Sequence, residues 1–101
     1  MTDELYEARI ETVQNLITEP ALLEQMAEEC CELAQALLKK ARKLRNENYT
    51  PNSLADINLD ITEEYTDVLL CAAVLNLNTS DALCDQKLNR WIIRNIDKKE
   101  F

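Results

Sequence analysis

Apolar residues recur along this chain at three- and four-residue intervals almost from end to end, the spacing of one face of an α-helix. From about Asp3 to Ile17, Leu5, Ile10, Val13, Leu16 and Ile17 fall near a common face. Thr18 followed by Pro20 marks a restart, because proline is tolerated in the first helical turn, where its missing N–H has no partner to lose. A second helix is expected from about Glu19 to Arg45, with an apolar seam of Leu23, Met26, Cys30, Leu33, Leu37, Ala41 and Leu44. Asn46 to Asn52 reads as a loop. Ser53 and Asp56 form a capping pair that opens a third helix, expected to reach about Leu77. Asn78-Thr79-Ser80-Asp81 then supplies a turn and a cap for a fourth helix, from about Asp81 to Asp97.

The composition agrees with helix throughout. The chain has no glycine and only two prolines, which disfavours the tight turns of hairpins and β-sandwiches. The expected architecture is all-α: a single domain over residues 1–101, four-helix bundle-like, assembling through its helices into a dimer or tetramer. Assembly is expected because 101 residues is near the lower size at which one core suffices. The net charge of -8 argues against a nucleic-acid backbone or an anionic membrane as partner, since either needs a basic face. Asp3, Glu4 and Glu7 interrupt the N-terminus, and no stretch approaches the roughly 20 apolar residues of a membrane span, so a cytoplasmic protein is expected. The four cysteines form no C-x-x-C pair and there is no histidine, which excludes a zinc site or a thioredoxin-like motif. Cys30, Cys31, Cys71 and Cys84 are expected as reduced core or near-core residues.

The chemistry is concentrated in two acidic clusters, Glu28-Glu29-Cys30-Cys31-Glu32 and Glu63-Glu64-Tyr65-Thr66-Asp67. Residues three apart share a helix face, so the pairs Glu29/Glu32 and Glu64/Asp67 can each grip one cation, and two facing pairs make a cage. Helical rotation places Glu29 within about 20° of Leu22, Glu64 close to Ile57 and Leu75, and Asp67 between Val74 and Cys71. Carboxylates pressed into an apolar interface repel one another unless protonated or neutralised by a cation. All-oxygen ligands suit a hard ion, Mg2+ with Mn2+ as the alternative, and point to phosphate chemistry. Glu28 and Glu63 point about 100° away from their neighbours, toward an outer shell or the surface. Asp60 lines up with Glu64 and Asp67 at helical spacing as a further candidate.

Glu28-Glu29-x-x-Glu32 followed by Glu64-x-x-Asp67 resembles the MazG-like family of all-α nucleoside triphosphate pyrophosphohydrolases, over about Leu22 to Arg94. Lys39 and the closing Lys87-Leu88-Asn89-Arg90 add weaker matches, and the connection around Asn46 to Ser53 is longer than the family pattern. The resemblance implies a helical bundle forming a dimer or tetramer, with magnesium held by Glu29, Glu32, Glu64 and Asp67. It also implies hydrolysis of a nucleoside triphosphate between the α and β phosphates, giving the monophosphate and pyrophosphate.

Metal and carboxylates suffice for such hydrolysis, and no Gly-rich phosphate loop is present. Glu28 and Glu32 are the catalytic candidates for accepting the proton of the attacking water. Lys39 and Lys43 project along the line of Glu32, while Lys87, Arg90 and Arg94 form a second basic stripe; these five are the candidate phosphate ligands. Trp91 beside Leu88 and Ile92 is expected to pack rather than to stack on a base. The competing readings are a helical oligomer that binds or senses nucleotides without hydrolysis, and a phosphoribosyl-ATP pyrophosphatase-like enzyme.

Overall fold

The computed structural model describes residues 1–47 and 49–99, with the side chains of residues 97–99 outside the description. Four helices follow in order: α1 (Asp3–Leu16), α2 (Glu19–Arg45), α3 (Leu54–Val74) and α4 (Asp81–Lys99), with no strand among the described residues. None of them is long and apolar enough to cross a membrane.

Local chemistry accounts for each boundary. Thr2 Oγ1 accepts from the Leu5 amide at 3.1 Å and Ser53 Oγ from the Asp56 amide at 3.1 Å, so both N-termini have one of their free donors satisfied. Thr18 is the N-cap of α2, with proline in its first turn. Ser80 Oγ accepts from the Leu83 amide at the start of α4. With no glycine available, asparagine takes the left-handed position at the ends of α2 and α3, Asn46 at φ 56° and Asn76 at φ 57°. The bonds Asn46 N to Lys43 O and Glu47 N to Arg42 O are repeated by Asn76 N to Ala73 O and Leu77 N to Ala72 O. Each pair is the double closure that ends a helix. This closure stops α3 at Val74, three residues before the expected Leu77.

α2 and α3 form the main packed pair; α1 lies against α3, where Gln14 Nε2 donates to the Val74 carbonyl at 3.0 Å. Among the described residues Leu22, Ile57 and Val74 are buried, and of these Ile57 is fully enclosed. The face of α2 that turns inward runs Leu22, Met26, Glu29, Leu33, Ala36 and Lys40. This corrects the expected seam: Leu23, Cys30, Leu37 and Leu44 lie on the neighbouring flank and are exposed, as is Leu16 on α1. Both flanks of α2 are apolar, and α3 covers one of them. Cys30, Cys31 and Cys84 are exposed and Cys71 is half-buried, so three of the four cysteines lie outside the expected core, and all four are free thiols.

α4 makes no more than marginal contact with the other helices among the described residues. The radius of gyration is 17.8 Å, well above the roughly 13 Å of a compact chain of this length. Replacing Ile57 by alanine should therefore cost about 2–4 kcal/mol in urea unfolding, because it opens a cavity in the best-enclosed position. Leu16→Ala, at a site 76% exposed, should stay within about 0.5 kcal/mol.

Candidate metal centre

The α2–α3 seam brings the two acidic clusters face to face. Glu29 on α2 and Glu64 and Asp67 on α3 each present a carboxylate oxygen, and the three oxygens lie within 4.8 Å of one another. Glu32, one turn along α2, joins them: its carboxyl is within hydrogen-bonding reach of Glu64, as Asp67's is of Glu29. All four residues of the expected ligand set are thus gathered at one place. Helical register explains it, because spacings of three on each helix turn both pairs toward the same seam.

Glu29 and Glu64 are half-buried, while Glu32 and Asp67 are exposed at its edge. Glu29 Oε2 and Glu64 Oε2 are enclosed and have no hydrogen-bond partner. Glu29 Oε1 is satisfied by the Gln25 amide at 2.8 Å. Hydrogen bonding to Glu32, followed by desolvation and the charges of Glu32, Asp67 and Glu29, pushes Glu64 up from 4.5 to about 7. Desolvation raises Glu29 in the same direction, with Asp67 and Glu32 adding to it and the bond from Gln25 opposing. Enclosed oxygens without donors, on acids that resist ionisation, are what a hard cation satisfies, so the donor set fits Mg2+ or Mn2+.

Beside the centre is an open cleft of about 470 Å³ lined by Glu32, Gln35, Ala36, Lys39, Asp60 and Glu64. Lys39 and Asp60 therefore reach the site that their helical spacing predicted. Lys43 does not line this cleft. Its ammonium donates to the Thr50 carbonyl at 3.0 Å and ties down the α2–α3 loop, beside Asn46 and Tyr49. Glu28 is exposed and lies outside the group of converging carboxylates. Lys87, Arg90 and Arg94 are exposed on α4, with no carboxylate in ion-pair distance among the described residues.

α1, α2 and α3 also line a half-open apolar pocket of about 330 Å³ whose wall includes Tyr6, Ile10, Leu22, Gln25, Cys71 and Val74. Gln25 belongs both to this wall and to the carboxylate centre, through its bond to Glu29. Cys71 also borders the centre: burial first, then the charges of Glu29 and Asp67, pushes its thiol up, so it stays protonated. The sequence pattern did not single out Gln25, and it placed Cys71 beside Asp67 only as a core thiol. Gln25 stands four before Glu29 and Cys71 four after Asp67, the helical spacing that would have found them. No family model, curated protein or solved structure matches this chain.

The raised carboxyl groups set a pH dependence of unusual sign. Folded Glu64 keeps its proton to about pH 7, whereas an unperturbed glutamate releases it near 4.5, so the folded state binds more protons between these values. The metal-free chain should therefore lose thermal stability as pH rises through that window. Glu64→Gln, uncharged at every pH, should flatten the slope. Thermal unfolding in chelator from pH 5 to 8 checks this; a wild-type Tm that climbs, or a slope the variant leaves unchanged, contradicts it.

Proposed function

We propose that this chain is a divalent-metal-dependent nucleotide pyrophosphohydrolase. The observation that carries the reading is the convergence of Glu29, Glu64 and Asp67 within 4.8 Å. Two of them carry enclosed oxygens that lack partners, beside a cleft that contains a lysine. Glu29, Glu32, Glu64 and Asp67 hold the ion, Mg2+ or Mn2+. When bound, it neutralises phosphate charge and lowers the pKa of water at the site.

The remaining work falls to the chain's own groups. Lys39 places an ammonium among Glu32, Asp60 and Glu64, where it attracts the triphosphate and offsets the excess negative charge of the cleft. Glu32 lines the cleft at the edge of the centre and is positioned to take the proton of the attacking water, the role for which exposed Glu28 lies outside the centre. The apolar cavity that shares Gln25 with the centre offers the base a wall away from water. Cleavage between the α and β phosphates, giving monophosphate and pyrophosphate, is the reaction that the resemblance to the MazG-like family implies. Self-association belongs to the same reading, since three buried apolar residues among those described are too few for a lone chain.

With Mg2+ and a panel of canonical and modified nucleoside triphosphates, the protein should release pyrophosphate and the matching monophosphate without orthophosphate. Glu64→Gln should lower turnover by about 100-fold or more while leaving helicity intact. Lys39→Ala should raise KM by about tenfold with a smaller change in kcat, as expected of a group that binds ground and transition states alike. Nucleotide binding that depends on Mg2+ but yields no product would replace hydrolysis with sensing.

A further inference from the structure

Three concave sites lie in line along one face of α2. Gln25, Glu32, Ala36, Lys39 and Lys43 fall within an arc of about 60° at helical rotation. Gln25 borders the apolar pocket, and Glu32, Ala36 and Lys39 line the open cleft beside the carboxylates. Lys43 lines a further cleft of about 490 Å³ with Asn46, Tyr49 and Thr50. At 1.5 Å per residue the line from Gln25 to Lys43 runs about 27 Å, with the carboxylate centre nearer its Gln25 end.

The far cleft carries the groups that a nucleoside next to a phosphate needs. Lys43 is half-buried and gives one of its three donors to the Thr50 carbonyl at 3.0 Å, which holds its ammonium in place and leaves two donors for an anion. Asn46, held in the left-handed region at φ 56° where α2 closes, brings an amide with both donors and an acceptor. Tyr49 is 91% exposed, so its ring is open to stacking on a base. Reach decides what can use this cleft. With the α phosphate at the carboxylates, the end of a triphosphate falls to Lys39, whereas Lys43 stands a further turn away, about 6 Å along α2, and Tyr49 lies beyond it.

We propose that the preferred substrate carries a nucleoside at both ends of its phosphate chain, a dinucleoside tetraphosphate, and that Lys43, Asn46 and Tyr49 hold the second nucleoside. The first base lies in the apolar pocket beside Gln25, and the phosphates run from the carboxylates past Lys39 to Lys43. Cleavage of this compound rests on the hydrolase reading, whereas the second nucleoside subsite does not. In that cleavage the oxygen of water forms a bond to the α phosphorus and the bond from that phosphorus to the α–β bridging oxygen breaks. One half leaves as a nucleoside triphosphate, the other keeps the water oxygen as a monophosphate, and the proton of water passes to Glu32.

Steady-state kinetics with Mg2+ on the dinucleoside tetraphosphates of the four common bases, each against its own triphosphate, test this. The tetraphosphate should show a KM about tenfold lower, the worth of one stacked base, and its first products should be equal amounts of monophosphate and triphosphate. Tyr49→Ala, with helical circular dichroism retained, should bring the two KM values together, and Tyr49→Phe should keep them apart. Triphosphate turnover with equal KM values, a pair of nucleoside diphosphates as products, or an advantage that survives Tyr49→Ala would overturn the proposal. Equilibrium dialysis with Ca2+ in place of Mg2+ reads the subsite apart from turnover. Tetraphosphate bound about tenfold more tightly than triphosphate, a gain lost in Tyr49→Ala, would uphold the subsite even if neither compound were hydrolysed, and only the hydrolase reading would then fall. Equal affinities, or no binding of either, would overturn the subsite.

Discussion

Like charges held together at a half-buried seam are the constraint around which this molecule is organised. α2 and α3 form the best-packed pair in the chain, and at their contact stand four carboxyl groups instead of leucines. Without a cation, the centre relieves its repulsion by keeping a proton on Glu64, and two enclosed oxygens stay without donors. That arrangement works against stability, and apolar residues of similar size would hold the helices together better.

The rest of the structure can be read as support for that seam. The repeated asparagine closures at Asn46 and Asn76 fix where α2 and α3 end. Lys43 secures the α2–α3 loop through Thr50, which joins the two helices at the far end. α1 lines the apolar pocket that includes Gln25 and is tied to the end of α3 through Gln14. Among the described residues α4 makes no more than marginal contact with the other helices, although it carries Lys87, Arg90, Arg94 and six exposed large apolar residues.

Much of this was legible in the sequence because helix periodicity and caps are local. Ser53 with Asp56, Thr18 with Pro20, and the bounds of α2 all follow from neighbouring residues. So does the convergence of the acids, since a spacing of three turns each pair to one face. The inward face of α2 was not legible. Leu22 and Leu23 head two adjacent apolar stripes, and nothing local tells which of them α3 will cover. The exposure of Cys30 and Cys84 has the same origin, as both sit on exposed apolar flanks among the described residues. The diversion of Lys43 to Thr50 depends on where a loop folds back, which periodicity does not encode.

We propose that the carboxylate centre exchanges a proton for a divalent cation. Calorimetric titration of Mg2+ in buffers of different ionisation enthalpy counts the protons released. The account predicts saturable binding that releases about one proton near pH 6 and almost none near pH 8, with the release lost in Glu64→Gln. Absence of saturable binding, or a proton count independent of pH and of Glu64, would contradict it.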